Sequence, residues 1–541
     1  RHPPGLCVLL TVGCGKPTPK TEEPQPPVTE PQTERLVVGI NTSRIRTLDP
    51  ADAYEIAAGN LLYNLGDRLY TYEPGTDTLK PQLASDLPEI SNNGLTYRIK
   101  LRENVTFHDG EPFNASAMEF SLKRFIENSG KPSFLLSDTI YRDPATQEPQ
   151  ITATGDYELT IELDKPFAAF TDLLAFSGLV AVSPKAYQDS VGPGKFQPTT
   201  FVGTGPYQLE RYSNDLIRLK TFPDYWGTAP QNDGVNVKLY SSSANLFNAF
   251  RTGSVDMTYQ SLEPVQIEAL RKQAAAGDWQ VIEGPGNVIT YLSLNLKNED
   301  IKKVEVRRAL AAMVDRPLLK QRVFRGQAAP LYSLLPDIFE TSEPVFEAQP
   351  DSATVKSGLE AAGYSAENPL NFVLWYRSNV TSNAVAASTI KAVIERDYAP
   401  LVSMELESIE SATAYANLDK GTYPIFMLDW YGDFFDEDNY IQPFVDCDVG
   451  TVETGCENGE SFSQGSFFYS DRINQLVDEQ RQVTDVDKRQ AIFTEIQSIL
   501  ATEVPFIPLW QSKDYVFAQT DVEGIQLQPT QQFFFAPLRK S

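Results

Sequence analysis

Histidine is almost missing from this chain: His2 and His108 are the only two in 541 residues. That excludes the His clusters that hold zinc, and it leaves most Ser or Cys hydrolase arrangements without their imidazole base. No G-x-S-x-G elbow and no Walker A loop occurs, so a peptidase or esterase is the weak rival reading and an ATPase is excluded. Cysteine is scarce as well, at four residues. Cys7 and Cys14 fall in an N-terminal apolar stretch, which leaves Cys447 and Cys456 as the pair in the body. They flank DVGTVETG, a loop that a disulfide would close in an oxidising compartment, with about 2.5–3 kcal/mol in the chain-entropy picture; two free thiols are the alternative. Positive charge is short: 46 Lys and Arg stand against 72 Asp and Glu, a formal charge of −26. Such a surface repels phosphates, so nucleic acid is excluded as a partner.

The shortage is most acute in LDWYGDFFDEDNY, Leu428 to Tyr440. Asp429, Asp433, Asp436, Glu437 and Asp438 sit there among aromatics, with no Lys or Arg between Lys420 and Arg472. Whatever neutralises these carboxylates comes from elsewhere in the fold, from solvent or from a ligand. A D-x-D-x-D/N-G calcium loop is not formed, and no metal site is expected.

The first 34 residues read as an address. GLCVLLTVGCG is far shorter than the roughly 20 residues that span a bilayer and ends in small residues, as a secretory segment does. Residues 1–14 are read as a truncated lipoprotein signal segment: Gly13-Cys14 resembles a lipobox, with Thr11 where Leu is usual, and Cys14 is the candidate for lipidation. Residues 15–33 are a Pro-rich tether that cannot bury a core.

Beyond Leu36 the pattern is mixed α/β, and at 41% hydrophobic content the length predicts two or three folding units. RLVVGI reads as a buried strand, and LTYRIKLRENVTFHDG alternates as half-buried strands do. Helices are predicted from Asn114 to Ile126, Val304 to Gln321 with a break at Pro317, Ala384 to Asp397, and Asp471 to Ala501. FHDGEPFNA, with His108, reads as a turn, and so does VGTGP, which lacks the Lys and Ser/Thr of a phosphate loop.

TLDPADAY, LTYRIKLRENVTFHDGEPFNASAMEFSLKR, VGTGPYQLERY with FPDYWG, LFNAFRTGSVD, YLSLNLKN, VRRALAAMVDRPLLKQRVFRGQAAP, LEAAGYS and DWYGDFFDEDNYIQPF follow one another over most of the body. In this order they resemble the extracytoplasmic solute-binding proteins of ABC importers, in the family that binds peptides and nickel. The resemblance implies an α/β, two-lobed periplasmic-binding-protein fold with a hinge and an extra domain inserted in the first lobe. Carried over, lobe I comprises 34–52, 199–276 and 504–541, the extra domain 53–198 and lobe II 277–503, with hinges near 277–283 and 503–508. It also implies a non-enzymatic monomer without cofactor, periplasmic or at the cell surface and lipid-anchored, that takes a small peptide to a permease and its ATPases. Other solutes of the family are an opine, an oligosaccharide or a nickel chelate.

In the peptide binders a Trp-x-x-Asp element pairs with the ligand ammonium, and Trp430-Tyr431-Gly432-Asp433 matches it. Asp433 is therefore the expected ligand contact, with Asp429, Asp436, Glu437 and Asp438 solvated or capping. Oligopeptide binders carry an Arg six residues before that Asp, where this chain has Met427, so Arg377 becomes the candidate for the ligand carboxylate. Tyr291 and Asn295, in YLSLNLKN, are expected where the second lobe begins to face the cleft.

Overall fold

The β-branched and aliphatic run LVVGIN forms the strand Leu36–Asn41 in the middle of a parallel trio, with Gly234–Tyr240 on one side and Met257–Tyr259 on the other. A second parallel trio places Leu370–Arg377 between Val402–Ile409 and Ile425–Trp430. Two long antiparallel strands, Gln280–Leu294 and Phe506–Ala518, run between the trios and join them into one sheet of eleven strands. Parallel neighbours need helical crossovers, which is why the sheet reads as alternating strand and helix in the sequence. The computed structural model describes residues 35–541 except Ser43, Gln260 and Gln531. The signal segment, Cys14 and the tether lie outside the described residues.

The two long strands change sides where their ladder is interrupted, between Pro285 and Ile289. Pro285 has no N–H to give to a ladder, and the flanking Gly284 and Gly286 weaken pairing further. Before the break, Ile282 packs with the core around Val38 and Val235; after it, Leu292 and Leu294 pack with Leu370 and Ile425. On the partner strand Ile507 and Leu509 belong to the second half and Val516 and Ala518 to the first. The crossing thus falls several residues beyond both 277–283 and 503–508, because the apolar side chains there are committed to one core or the other.

A separate antiparallel sheet, ordered Glu89–Ser91, Thr96–Lys100, Glu158–Glu162 and Ile151–Gly155, carries the helix Ala115–Glu127. Asn114 caps that helix by accepting from the Ala117 N–H at 2.9 Å. Its core holds Ile99, Phe107, Met118, Leu122, Ile161 and Phe170, and also Phe434 from the acidic stretch.

The predicted helix over 304–321 is two, Val304–Ala312 and Arg316–Phe324, with Pro317 in the first turn of the second. The single helix expected from Asp471 to Ala501 is corrected to a pair, Asp471–Gln482 and Val486–Glu503. Val483 is extended between them, and Asp485 restarts the helix by accepting from the Lys488 N–H at 2.9 Å. A disulfide joins Cys447 to Cys456 across the hairpin of Val449–Thr451 and Gly455–Asn458. Among the described residues no helix is long and apolar enough to cross a membrane, and no group of His, Cys, Asp and Glu could hold a metal.

Candidate functional site

The strand Ile425–Trp430 ends where the backbone must pass Tyr440: a Cβ on Gly432 would lie 2.7 Å from the Tyr440 hydroxyl. The chain then crosses to the helix Asp438–Val445, and the acids on the way have distinct fates. Asp429 pairs with Arg377. Asp436, 7% exposed, takes both Arg489 Nη1 and Nη2, at 2.7 and 2.6 Å. Glu437 accepts from the Thr341 hydroxyl at 2.8 Å and lies 3.9 Å from Arg489. Asp438, 1% exposed, takes Arg481 Nε and Nη2, both at 2.7 Å, and the Gln480 amide. The expectation that these four are solvated or capping is therefore corrected, although Asp436 does accept from the Asp438 N–H at 2.8 Å. Their counter-charges come from two other parts of the chain, the end of the strand Leu370–Arg377 and the helix pair Asp471–Gln482 and Val486–Glu503.

Asp433 alone of the five has no Lys or Arg partner among the described residues. Its Oδ1 accepts from the Tyr54 hydroxyl at 2.6 Å, and its N–H donates to Asn439 Oδ1 at 2.7 Å. Burial pushes its carboxyl up to about 6, against the pull of the Tyr54 and Asn439 hydrogen bonds. This half-buried carboxylate lines a cavity of about 260 Å³ with Tyr54, Glu55, Asn60, Tyr63, Phe176 and Tyr431. A second chamber of about 250 Å³ shares Ile56 and Tyr431 and is walled by Thr258, Tyr259, Val288, Lys513, Asp514 and Tyr515. Both chambers lie where segments of the two sheet halves face each other. Three buried polar atoms on their walls lack a partner: Asn60 Nδ2, Thr258 Oγ1 and Ser512 Oγ. Buried polar groups seldom stay unpaired, so the walls are suited to a polar guest. Lys513 is the one Lys or Arg lining either chamber among the described residues, against Glu55, Asp433 and Asp514.

Of the residues singled out from the sequence, Tyr431, Gly432 and Asp433 come together on the cavity wall. Trp430 packs on Phe444, with ring centroids 5.4 Å apart, and does not line either chamber. Tyr291 is a core residue between Phe444 and Phe506, its hydroxyl donating to Gln464 Oε1 at 3.2 Å. Asn295 donates to the Gly421 carbonyl at 3.1 Å and accepts from the Lys297 N–H at 2.9 Å, which fixes the end of its strand. Arg377 is buried and committed to Asp429 and to the Tyr415 hydroxyl, 3.0 Å away, so its charge is already met. Tyr54, Asn60 and Lys513 went unsingled in the sequence. Lys513 had a legible signal: QSKD interrupts the otherwise apolar strand FIPLWQSKDYVFA. His108 is outside both chambers, with Nε2 3.0 Å from the Gly205 carbonyl, and burial lowers its pKa to about 4, so it is neutral at pH 7.

Two α/β halves joined by a pair of strands, with polar cavities of solute size between their segments, are the architecture of a two-lobed binding protein. The chain belongs to the bacterial extracellular solute-binding proteins, family 5, whose model, described as the family 5 middle region, matches residues 78–451. It is 24% identical over 509 residues to the glutathione-binding protein GsiB of Salmonella typhimurium strain LT2, covering 92% of this chain and 93% of that protein. Its fold is similar to that of HbpA2 from Haemophilus parasuis, with a TM-score of 0.79, 21% identity and coverage of 94% and 100%. It is also similar to the dipeptide binding protein of Pseudoalteromonas sp. SM9913 in complex with Met-Leu, with a TM-score of 0.76, 22% identity and coverage of 94% and 100%.

Proposed function

We propose that this protein captures a short peptide, or a comparable amine-bearing solute, between its two halves and passes it to an ABC importer. The observation that carries the reading is the fate of the acids: four of five in the stretch from 429 to 438 are met by arginines, and the fifth, Asp433, faces a cavity without a cation. A carboxylate taken out of water is costly unless an opposite charge replaces the water, and a ligand ammonium supplies one. The names of the similar proteins, one binding glutathione and one holding Met-Leu, fit this chemistry.

Lys513, in the adjoining chamber beyond Tyr431, takes the role first given to Arg377 and meets the carboxylate of the cargo. The halves swing about the ladder break at Pro285–Ile289 and the facing residues 511–513. By calorimetry, Lys513→Gln is expected to weaken binding of a free-acid dipeptide by about tenfold, the scale of a partly solvated charge-assisted hydrogen bond, and to leave its C-terminal amide unchanged. Equal loss for both ligands removes Lys513 from carboxylate recognition. The anchor belongs to the same reading: Cys14, carrying more than one acyl chain, holds the protein at the membrane at about 0.8 kcal/mol per buried methylene. Mass spectrometry of the mature protein is expected to find acyl mass at Cys14, and an unmodified Cys14 in a membrane-free protein ends that part of the proposal.

A further inference from the structure

Away from the two chambers, a cavity of about 530 Å³ opens beside the hairpin Tyr70–Tyr72 and Leu79–Pro81. Five aromatic rings line it, those of Tyr63, Tyr72, Tyr225, Trp226 and Phe534, together with Lys80 and Arg102, and no Asp or Glu does. In a chain of charge −26 that is a local reversal of sign. Neither Lys80 nor Arg102 has an ion-pair partner among the described residues. The Arg102 guanidinium lies 4.7 Å from the Trp226 ring centre, and its Nε donates to the Gln82 carbonyl at 2.5 Å. That leaves the terminal nitrogens of Arg102 for a guest. Thr71 lines the same wall at 5% exposure, and its hydroxyl has no partner. A hydroxyl buried without a partner costs on the order of 1–3 kcal/mol, so it too is suited to a polar guest.

Two acids stand behind the wall: Asp172, whose Oδ1 accepts from the Tyr72 hydroxyl at 3.1 Å, and Asp67. Asp67 accepts from Gln82, Thr204, Tyr225 and Trp226, at 2.9, 2.9, 3.3 and 2.9 Å, and it neighbours the wholly buried Arg68, which lies 3.7 Å from the Tyr63 ring centre. Asp67 and Arg68 attract one another electrostatically, and neither forms an ion pair with Lys80 or Arg102 among the described residues. An aromatic-lined cavity with two such cations favours a flat ring that carries an anionic group.

We propose that this cavity is a second ligand site, which takes a small aromatic carboxylate with its ring among Trp226, Tyr225 and Phe534 and its carboxylate on Arg102 and the Thr71 hydroxyl. The proposal is independent of the peptide reading. Calorimetry on the full chain with 2-naphthoate as the probe is expected to give saturable one-to-one binding that persists when the main cleft is filled with a dipeptide. Arg102→Gln, and replacement of the probe by 2-naphthamide, are each expected to lower affinity by about tenfold, as loss of one charge-assisted contact does. Exposed Lys80→Gln gives a smaller loss and guards against a folding defect in the Arg102 variant. The proposal is overturned by the absence of saturable heat, by equal affinity for acid and amide, or by displacement of the probe by dipeptide, which would put the probe in the main cleft.

Discussion

Asp433→Asn is expected to weaken binding of an amine-bearing peptide by about 2–4 kcal/mol, roughly 30- to 700-fold, while leaving its N-acetylated form almost unaffected. The size follows from enclosure. In this structure the carboxylate has the Tyr54 hydroxyl and the Asn439 side chain around it. In the proposed complex the ligand ammonium would be its full counter-charge, and an amide at position 433 would leave that ammonium desolvated and unpaired. Equal losses for free and acetylated peptides would mean that Asp433 shapes the loop and does not meet the ligand.

The same group predicts a pH dependence with a definite sign. Burial raises the Asp433 carboxyl to about 6, so in the empty protein it gains a proton as the pH falls through that value. A peptide amine, with an ordinary pKa of about 7.7–8.0, stays charged over the same range. Affinity is therefore expected to rise by about tenfold between pH 5 and pH 7 and to fall again above about pH 8 as the amine loses its proton, since the ammonium binds the ionised carboxylate. In Asp433→Asn the rise disappears. A rise retained in that variant would show that Asp433 is not the group whose ionisation the affinity follows.

The fold was legible because its signals are local. Alternation in LTYRIKL and the cap at Asn114 act within a few residues and appear where the pattern placed them, while the break expected at Pro317 falls a few residues earlier, between Ala312 and Arg316, with Pro317 in the first turn of the second helix. The cleft was legible only in part. Asp433 stood out because a short motif carries it, but its four acidic neighbours look identical in sequence and differ only in what the fold brings to them. Arg481 and Arg489 lie 43 and 53 residues from the acids they neutralise. Their arrival depends on the turn at Val483–Asp485, which the helical periodicity of Asp471 to Ala501 concealed. Arg377 shows the same limit: a lone cation beside a candidate site looks available until the strand pairing of Leu370–Arg377 with Ile425–Trp430 sets it beside Asp429.

Those arginines carry the second large effect. Arg489→Ala is expected to destabilise the protein by about 3–5 kcal/mol, because it strips Asp436 of its one bidentate partner in a buried site. For the compact body of residues 35–541 that lowers the melting midpoint by roughly 3–5 °C. The local charge makes the loss worse than for an isolated pair. Burial works against the Arg489 charge, yet the neighbouring Asp436 outweighs it and holds the guanidinium protonated. Across from it, burial and the Asp436 charge push Asp172 up to about 8, and Glu437 is raised as well, first by burial and then by Asp436. Three carboxyls thus depend on one guanidinium, and removing it leaves like charges facing each other. A carboxyl whose folded pKa lies above its unfolded value favours the folded state most at low pH, and that contribution fades as the pH rises from about 4 through 8. Asp172→Asn should consequently flatten the loss of stability between about pH 4 and pH 8, whereas Arg489→Ala should steepen it. Pairing Arg489→Met with Asp436→Leu, which removes both charges and fills their volume, is expected to recover most of the midpoint. A midpoint for Arg489→Ala within about 1 °C of the parent, a shift worth roughly 1 kcal/mol or less, would show that water reaches Asp436 and that the cluster contributes little.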